Sequence, residues 1–126
     1  ENIKALINID CLGTGYGLGA RIAPKHSTLF NYLEKANDTY VRRPFKAVPG
    51  RDEIITRPRT DDANFFVKGV PTISLFSFGA TERTPYHHPG DVIELIHFDI
   101  VKDAVKLLSE TMIEMGDAPE IEATAR

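Results

Sequence analysis

Residues 70–78, Val-Pro-Thr-Ile-Ser-Leu-Phe-Ser-Phe, constrain the fold most: a run this dense in β-branched and aromatic side chains reads as the strongest strand of the chain. A second run, Ile3-Lys4-Ala5-Leu6-Ile7-Asn8-Ile9, is mostly apolar and of strand length, the pattern of a central strand covered on both faces. The two are expected side by side in the middle of one sheet. Between and after them come helical periodicities. Leu29, Phe30, Leu33 and Ala36 recur at helical spacing behind a cap at Ser27 or Thr28, predicting a helix to about Asn37. Val101, Ala104, Val105, Leu108, Met112 and Met115 form the expected buried stripe of a last helix over residues 99–115, stopped by Gly116. Strands alternating with helices predict an α/β unit, a mostly parallel or mixed central sheet flanked by helices in three layers.

The connecting segments carry weaker signals. Thr39-Tyr40-Val41-Arg42-Arg43 reads as a further strand closed by Pro44. Residues 46–60 read as an irregular excursion punctuated by Pro49-Gly50 and Pro58, with a short strand at Glu53-Ile54-Ile55. Asp61 and Asp62 precede a short helix over residues 63–68, where paired acids act as capping and dipole partners, and Gly69 supplies its stop. Residues 1–116 form the α/β segment, and 117–126 a polar tail expected to fray.

Composition excludes several functions. A length of 126 residues suits one domain, and a net charge of -3 with both signs interspersed leaves no basic surface for nucleic acid. Cys11 is the one cysteine, so neither an intrachain disulfide nor a cysteine-based zinc cluster is available. The apolar runs are far shorter than a bilayer span, and no signal-peptide pattern opens the chain. The first residue is Glu1 rather than Met, as expected of a processed product, an excised domain or a fragment that has lost any targeting segment.

Two places carry chemistry. Asp10 ends the first strand, where open α/β sheets put ligand-contacting groups, although an Asp bonded to the turn at Gly13 has the same signature. Tyr86-His87-His88-Pro89-Gly90-Asp91 puts two imidazoles and a carboxylate into six residues between a strand and a helix. There Asp91 can orient a metal-ligating His87, or the segment is a polar turn bent by Pro89-Gly90 with Asp91 as a cap. The alternating glycines Gly13, Gly15, Gly17 and Gly19 read as a flexible loop bordering a cleft. Gly15 to Ala20 also matches the loose dinucleotide pattern G-x-G-x-x-A. That reading fails because Gly19 and Pro24 leave no room for the helix that must follow.

In combination these segments resemble a family. Ile7-Asn8-Ile9-Asp10-Cys11-Leu12-Gly13, Thr60-Asp61-Asp62-Ala63-Asn64-Phe65, Gly69-Val70-Pro71-Thr72-Ile73-Ser74-Leu75 and Tyr86-His87-His88-Pro89-Gly90-Asp91 follow one another as four matching segments do in the two-metal zinc aminopeptidases. That group includes bacterial leucyl aminopeptidases, glutamate carboxypeptidase and glutaminyl cyclase. The resemblance implies zinc, two ions in the complete domain, with Asp10 a carboxylate ligand of one and His87 an imidazole ligand of the other. Asp91, Asp61, Tyr86 and His88 would then be outer-shell or substrate-facing groups.

Two departures qualify the resemblance. Asp62 stands where the family has His, and His88 where it has Thr or Ser. The family's other ligands and its general base, an adjacent Glu-Glu pair, have no counterpart in these residues and would precede Glu1. The resemblance therefore implies the C-terminal part of an aminopeptidase catalytic domain, partnered by its own N-terminal portion and inactive without it. The substrate would be a peptide or small amino-acid derivative with a free N-terminus, met in a secreted or periplasmic setting. The alternative is a peptidase-like domain that has lost catalysis and serves as a binding or scaffold module.

Overall fold

The computed structural model describes residues 3–22, 27–49, 60–80, 85–118 and 121. Their elements, in chain order, are β1 (Leu6–Ile9), β2 (Gly17–Ile22), α1 (Ser27–Ala36), β3 (Phe45–Pro49), α2 (Ala63–Phe66), β4 (Thr72–Phe78) and α3 (Phe98–Asp117). The strands form one mixed sheet in the order β1-β4-β2-β3. β1 lies parallel to β4, β4 antiparallel to β2, and β2 parallel to β3. The expected α/β architecture and the pairing of the two apolar strands are both present. The short strand expected at residues 53–55 and His26 lie outside the described residues.

Strand alternation divides the sheet's side chains between two environments. Leu18 and Ala20 of β2 and Ile73 and Leu75 of β4 point into one core with Leu29, Leu33 and Ala36 of α1 and Ile100, Ala104 and Leu107 of α3. Phe45 of β3 joins them, its ring stacked on Phe30 at 5.2 Å. The opposite face is aromatic and cationic. Arg21 lies over the Phe76 ring at 5.1 Å, and Lys46 over Phe78 at 4.0 Å.

The glycine-rich segment corrects the sequence reading. Gly17 and Gly19 are buried in β2, opposite Phe78 and Phe76. A Cβ on Gly17 would meet the Phe78 ring at 2.4 Å, and one on Gly19 the Phe76 ring at 2.6 Å. These glycines make room for cross-strand aromatic rings, a pairing that stabilises a strand otherwise poor in side chains. Loop-like composition thus conceals a central strand.

β1 pairs as expected but stands at the edge of the sheet formed by the described residues, not in its middle. Leu6 N–H donates to Pro71 O (2.9 Å) and Asp10 N–H to Leu75 O (3.0 Å), so alternation turns the amides of Ile7 and Ile9 outward. Ile9 is 51% exposed. An apolar run reports which faces want cover; strand order depends on which other strands are there to pair.

Residues 39–43 are not a strand. α1 continues into a wider π-helical turn, Asn37–Val41, closed by Arg42 in the left-handed region at φ 60°. The buried Asn37 side chain receives Arg43 N–H on Oδ1 (3.2 Å) and donates from Nδ2 to Arg43 O (3.0 Å). A side chain that satisfies the backbone six residues on outweighs the β propensity of Thr39, Tyr40 and Val41. β3 then follows directly, where turns were expected.

α3 is present but rotated. Its buried residues are Ile100, Ala104, Leu107 and Thr111, whereas Val105 and Met112 are 59% and 65% exposed. Both faces carry apolar residues, so periodicity alone did not choose between them. Packing of Ile100, Ala104 and Leu107 against α1 and the sheet sets the rotation, and it leaves ion pairs on the flank: Arg43 reaches Asp103 (2.6 Å) and Asp99 (2.5 Å), and Lys35 reaches Glu114 (3.1 Å). The helix runs through Gly116, and Ile121 beyond it packs against the core. Among the described residues no helix is long and apolar enough to cross a membrane.

The Arg43 pairs make stability depend on acid. The hydrogen bond from Arg43 holds the Asp99 carboxyl below its ordinary value. Burial works against the Arg43 charge, but the bonds to Asp99 and Asp103 outweigh it and raise that group's pKa, leaving it protonated throughout. A depressed carboxylate pKa stabilises above its unfolded value, about 4, and the contribution is lost as pH falls through the folded value. Asp99→Asn is therefore expected to lose less of its urea midpoint than the wild type between about pH 5 and pH 3. Equal acid losses in the two proteins would contradict this.

Candidate active site

Asp10 is carried at the C-terminal end of β1. Its amide continues the ladder to β4, so the carboxylate leaves the sheet from a fixed backbone. Cys11 follows at φ 54°, and its thiol donates to Asp10 Oδ1 across 3.6 Å. The Cys11 pKa is raised by burial, then by the charge and hydrogen bond of Asp10 and by the charge of Asp91, with Arg21 opposing.

That loop is held by its own backbone. His88 N–H donates to Pro85 O (3.1 Å) and Asp91 N–H to His88 O (2.9 Å). His87 adopts φ 55°, uncommon for a residue with a Cβ, and its imidazole stacks on the Tyr86 ring at 3.8 Å. Both are exposed. His88 turns back on the loop, where its Nδ1 accepts the Gly90 N–H at 3.0 Å. Neighbouring imidazoles thus differ: one is stacked and open, the other engaged locally.

Asp61 is exposed at the start of α2, and Asp62 is the residue before its first turn. Asp62 makes no side-chain bond to the helix start, and its Oδ1 is buried without a partner among the described residues. The expected capping by Asp62 is therefore not realised; in so short a helix Phe65 N–H and Phe66 N–H take the Asp62 carbonyl instead.

The turn after Asp10 involves residues that sequence reasoning missed. Ser77 Oγ accepts from Gly13 N–H and Thr14 N–H (both 3.1 Å). His97 N–H donates to Gly13 O (2.7 Å), and its Nδ1 donates to Gly15 O (3.1 Å). Arg43 Nη1 donates to Tyr16 O at 2.9 Å. A serine at a core-facing position of the strongest strand was the available signal for Ser77. His97 and Arg43 had none.

A carboxylate and an imidazole suit zinc, which takes oxygen and nitrogen ligands. Among the described residues, however, no three His, Cys, Asp or Glu side chains converge as a metal site needs. Asp10 and His87 fit as single contributions to a larger ligand set, not as a site by themselves.

The sequence pattern of Peptidase family M28 matches residues 1–112. No curated protein sequence matches the chain. The crystal structure of the Legionella pneumophila LapA aminopeptidase is similar in fold, with a TM-score of 0.72 and 21% identity. The match covers 94% of this chain and 32% of that one, so the chain spans about a third of the length of the solved aminopeptidase.

Proposed function

The chain belongs to peptidase family M28, and from that premise we propose that it forms part of the catalytic domain of a zinc-dependent aminopeptidase. The observation that carries this reading is the family match across residues 1–112, with Asp10 at the C-terminal end of β1. Asp10 and His87 would each hold one of two zinc ions. Zinc, when bound, lowers the pKa of an attacking water and polarises the scissile carbonyl.

The chain's own residues supply positioning. The β1–β4 ladder fixes the backbone of Asp10, and the Tyr86 ring braces the His87 imidazole. Asp91 would be the outer-shell carboxylate that orients a metal-ligating histidine. Asp61 and His88 would be second-shell or substrate-facing groups. The substrate class is a peptide, or a small amino-acid derivative, with a free N-terminus.

A peptidase-like binding module without catalysis is the second reading, favoured by Asp62, whose buried Oδ1 lacks a partner where the family has His. One assay separates the two. The chain is incubated with zinc and an aminoacyl chromogenic amide, beside a longer polypeptide that supplies the remaining ligands. Chelator-sensitive turnover by the longer polypeptide alone supports the enzyme; its absence from both supports the binding module.

A further inference from the structure

Residues 11–16 carry the chain from Asp10 back to β2, and their exposed-looking turn is held from several sides. Tyr16 N–H donates to Phe78 O (3.0 Å), while the carbonyls of Gly13, Gly15 and Tyr16 are taken by His97 and Arg43 as described above. The first half of the turn depends on one hydroxyl. Ser77 Oγ accepts two backbone N–H groups, those of Gly13 and Thr14, and donates to Cys11 O at 3.3 Å. One donor and two lone pairs are a serine hydroxyl's whole capacity, so Ser77 is saturated. Its own N–H also donates to Cys11 O, at 3.2 Å.

We propose that Ser77 is a positioning residue for Asp10, fixing the turn that aims this carboxylate at the metal rim. The proposal rests on the ligand role assigned to Asp10 above. Alternation puts Ser77 on the same side of β4 as Ile73 and Leu75, where packing alone favours an apolar residue. The hydroxyl does what an apolar side chain cannot: it holds Cys11 in the left-handed region at φ 54°. For a residue with a Cβ that conformation is strained and persists only where its surroundings dictate it. Without the hydroxyl, the buried Gly13 N–H loses its acceptor and Cys11 O keeps only the Ser77 N–H, so the hold on Cys11 is weakened. Asp10 is bonded to Cys11 through its own carbonyl and through the thiol, so its carboxylate moves with that relaxation.

The test uses the longer polypeptide that carries the complete ligand set, with zinc as the probe, comparing wild type, Ser77→Ala, Ser77→Thr and Asp10→Asn. Amide exchange at Gly13 and Thr14 is expected to rise about tenfold or more in Ser77→Ala while that of Leu107 in α3 stays unchanged. Zinc titration, followed by the NMR signals of Asp10 and Cys11, is expected to show affinity lowered about tenfold in Ser77→Ala, the size of effect that loss of an outer-shell partner has. Ser77→Thr, which keeps the hydroxyl, should restore both. A merely structural role would lower the urea midpoint without moving the Asp10 zinc response. If Ser77→Ala does not fold, Ser77→Cys retains size with a weaker acceptor and should give the same pattern in milder form. Unchanged exchange at Gly13 and Thr14, or an Asp10-dependent zinc response that Ser77→Ala leaves intact, overturns the positioning role. In that polypeptide, a wild-type zinc response that Asp10→Asn leaves unchanged overturns the ligand assignment of Asp10 instead.

Discussion

Replacing His87 with Ala, or Asp10 with Asn, in the longer polypeptide that carries the complete ligand set is expected to cut zinc-dependent turnover by at least about a hundredfold. The size follows from what each change removes. Losing even an outer-shell partner typically costs about 10–100-fold in metal affinity or activity, and a direct ligand contributes more. Hydrolytic zinc sites hold the ion by three protein ligands and leave the fourth position to water. The described residues bring no such set together, and positioned proton transfer by a general base adds about a hundredfold or more. The 126-residue chain assayed alone with excess zinc is accordingly expected to show no turnover above the buffer rate. Chelator-sensitive turnover by the short chain at a rate near that of the longer one would show that the active site has been misplaced. Full activity after His87→Ala would remove that residue from the site.

Gly15→Ala is expected to be among the most destabilising single substitutions in the chain, and Gly69→Ala a mild one, although both glycines have positive φ. Gly15 sits at φ 76° and Gly69 at φ 80°. Either alanine would carry the left-handed penalty of about 1–2 kcal/mol. The surroundings then separate them. A Cβ on Gly69 meets nothing within 4 Å, whereas one on Gly15 falls 2.2 Å from Phe78 O and 2.7 Å from Ala80 N. Those are backbone atoms, which do not swing away as a side chain does. Making room would separate Tyr16 N–H from Phe78 O, a 3.0 Å bond at the junction of β2 and β4. The added loss is several kcal/mol, a large share of the roughly 5–15 kcal/mol that holds a domain folded. Urea midpoints of the two variants measure the difference. Equal midpoints would mean that the turn yields more easily than its contacts indicate.

Much of this protein was legible in its residues because the relevant signals are local. The density of β-branched and aromatic side chains over residues 70–78 is β4, and the 3.6-residue periodicities are α1 and α3. The order of four short motifs pointed to the metallopeptidase family that the match over residues 1–112 shows. Asp10 at the end of an apolar run was visible as the carboxylate at the end of a strand, and the structure puts it there.

What the tertiary structure alone decided depended on partners distant in sequence. Gly17 and Gly19 form a strand because Phe78 and Phe76 fill the space above them. Thr39 to Val41 wind into a π turn because Asn37 captures Arg43, and α3 turns Leu107 inward because α1 and the sheet offer that face a core. Ser77 supports the turn after Asp10 from 66 residues away along the chain. Periodicity and propensity report what each segment prefers on its own. They do not contain the free energy of contacts formed only when the chain has closed, and at each of these positions that contribution was the larger one.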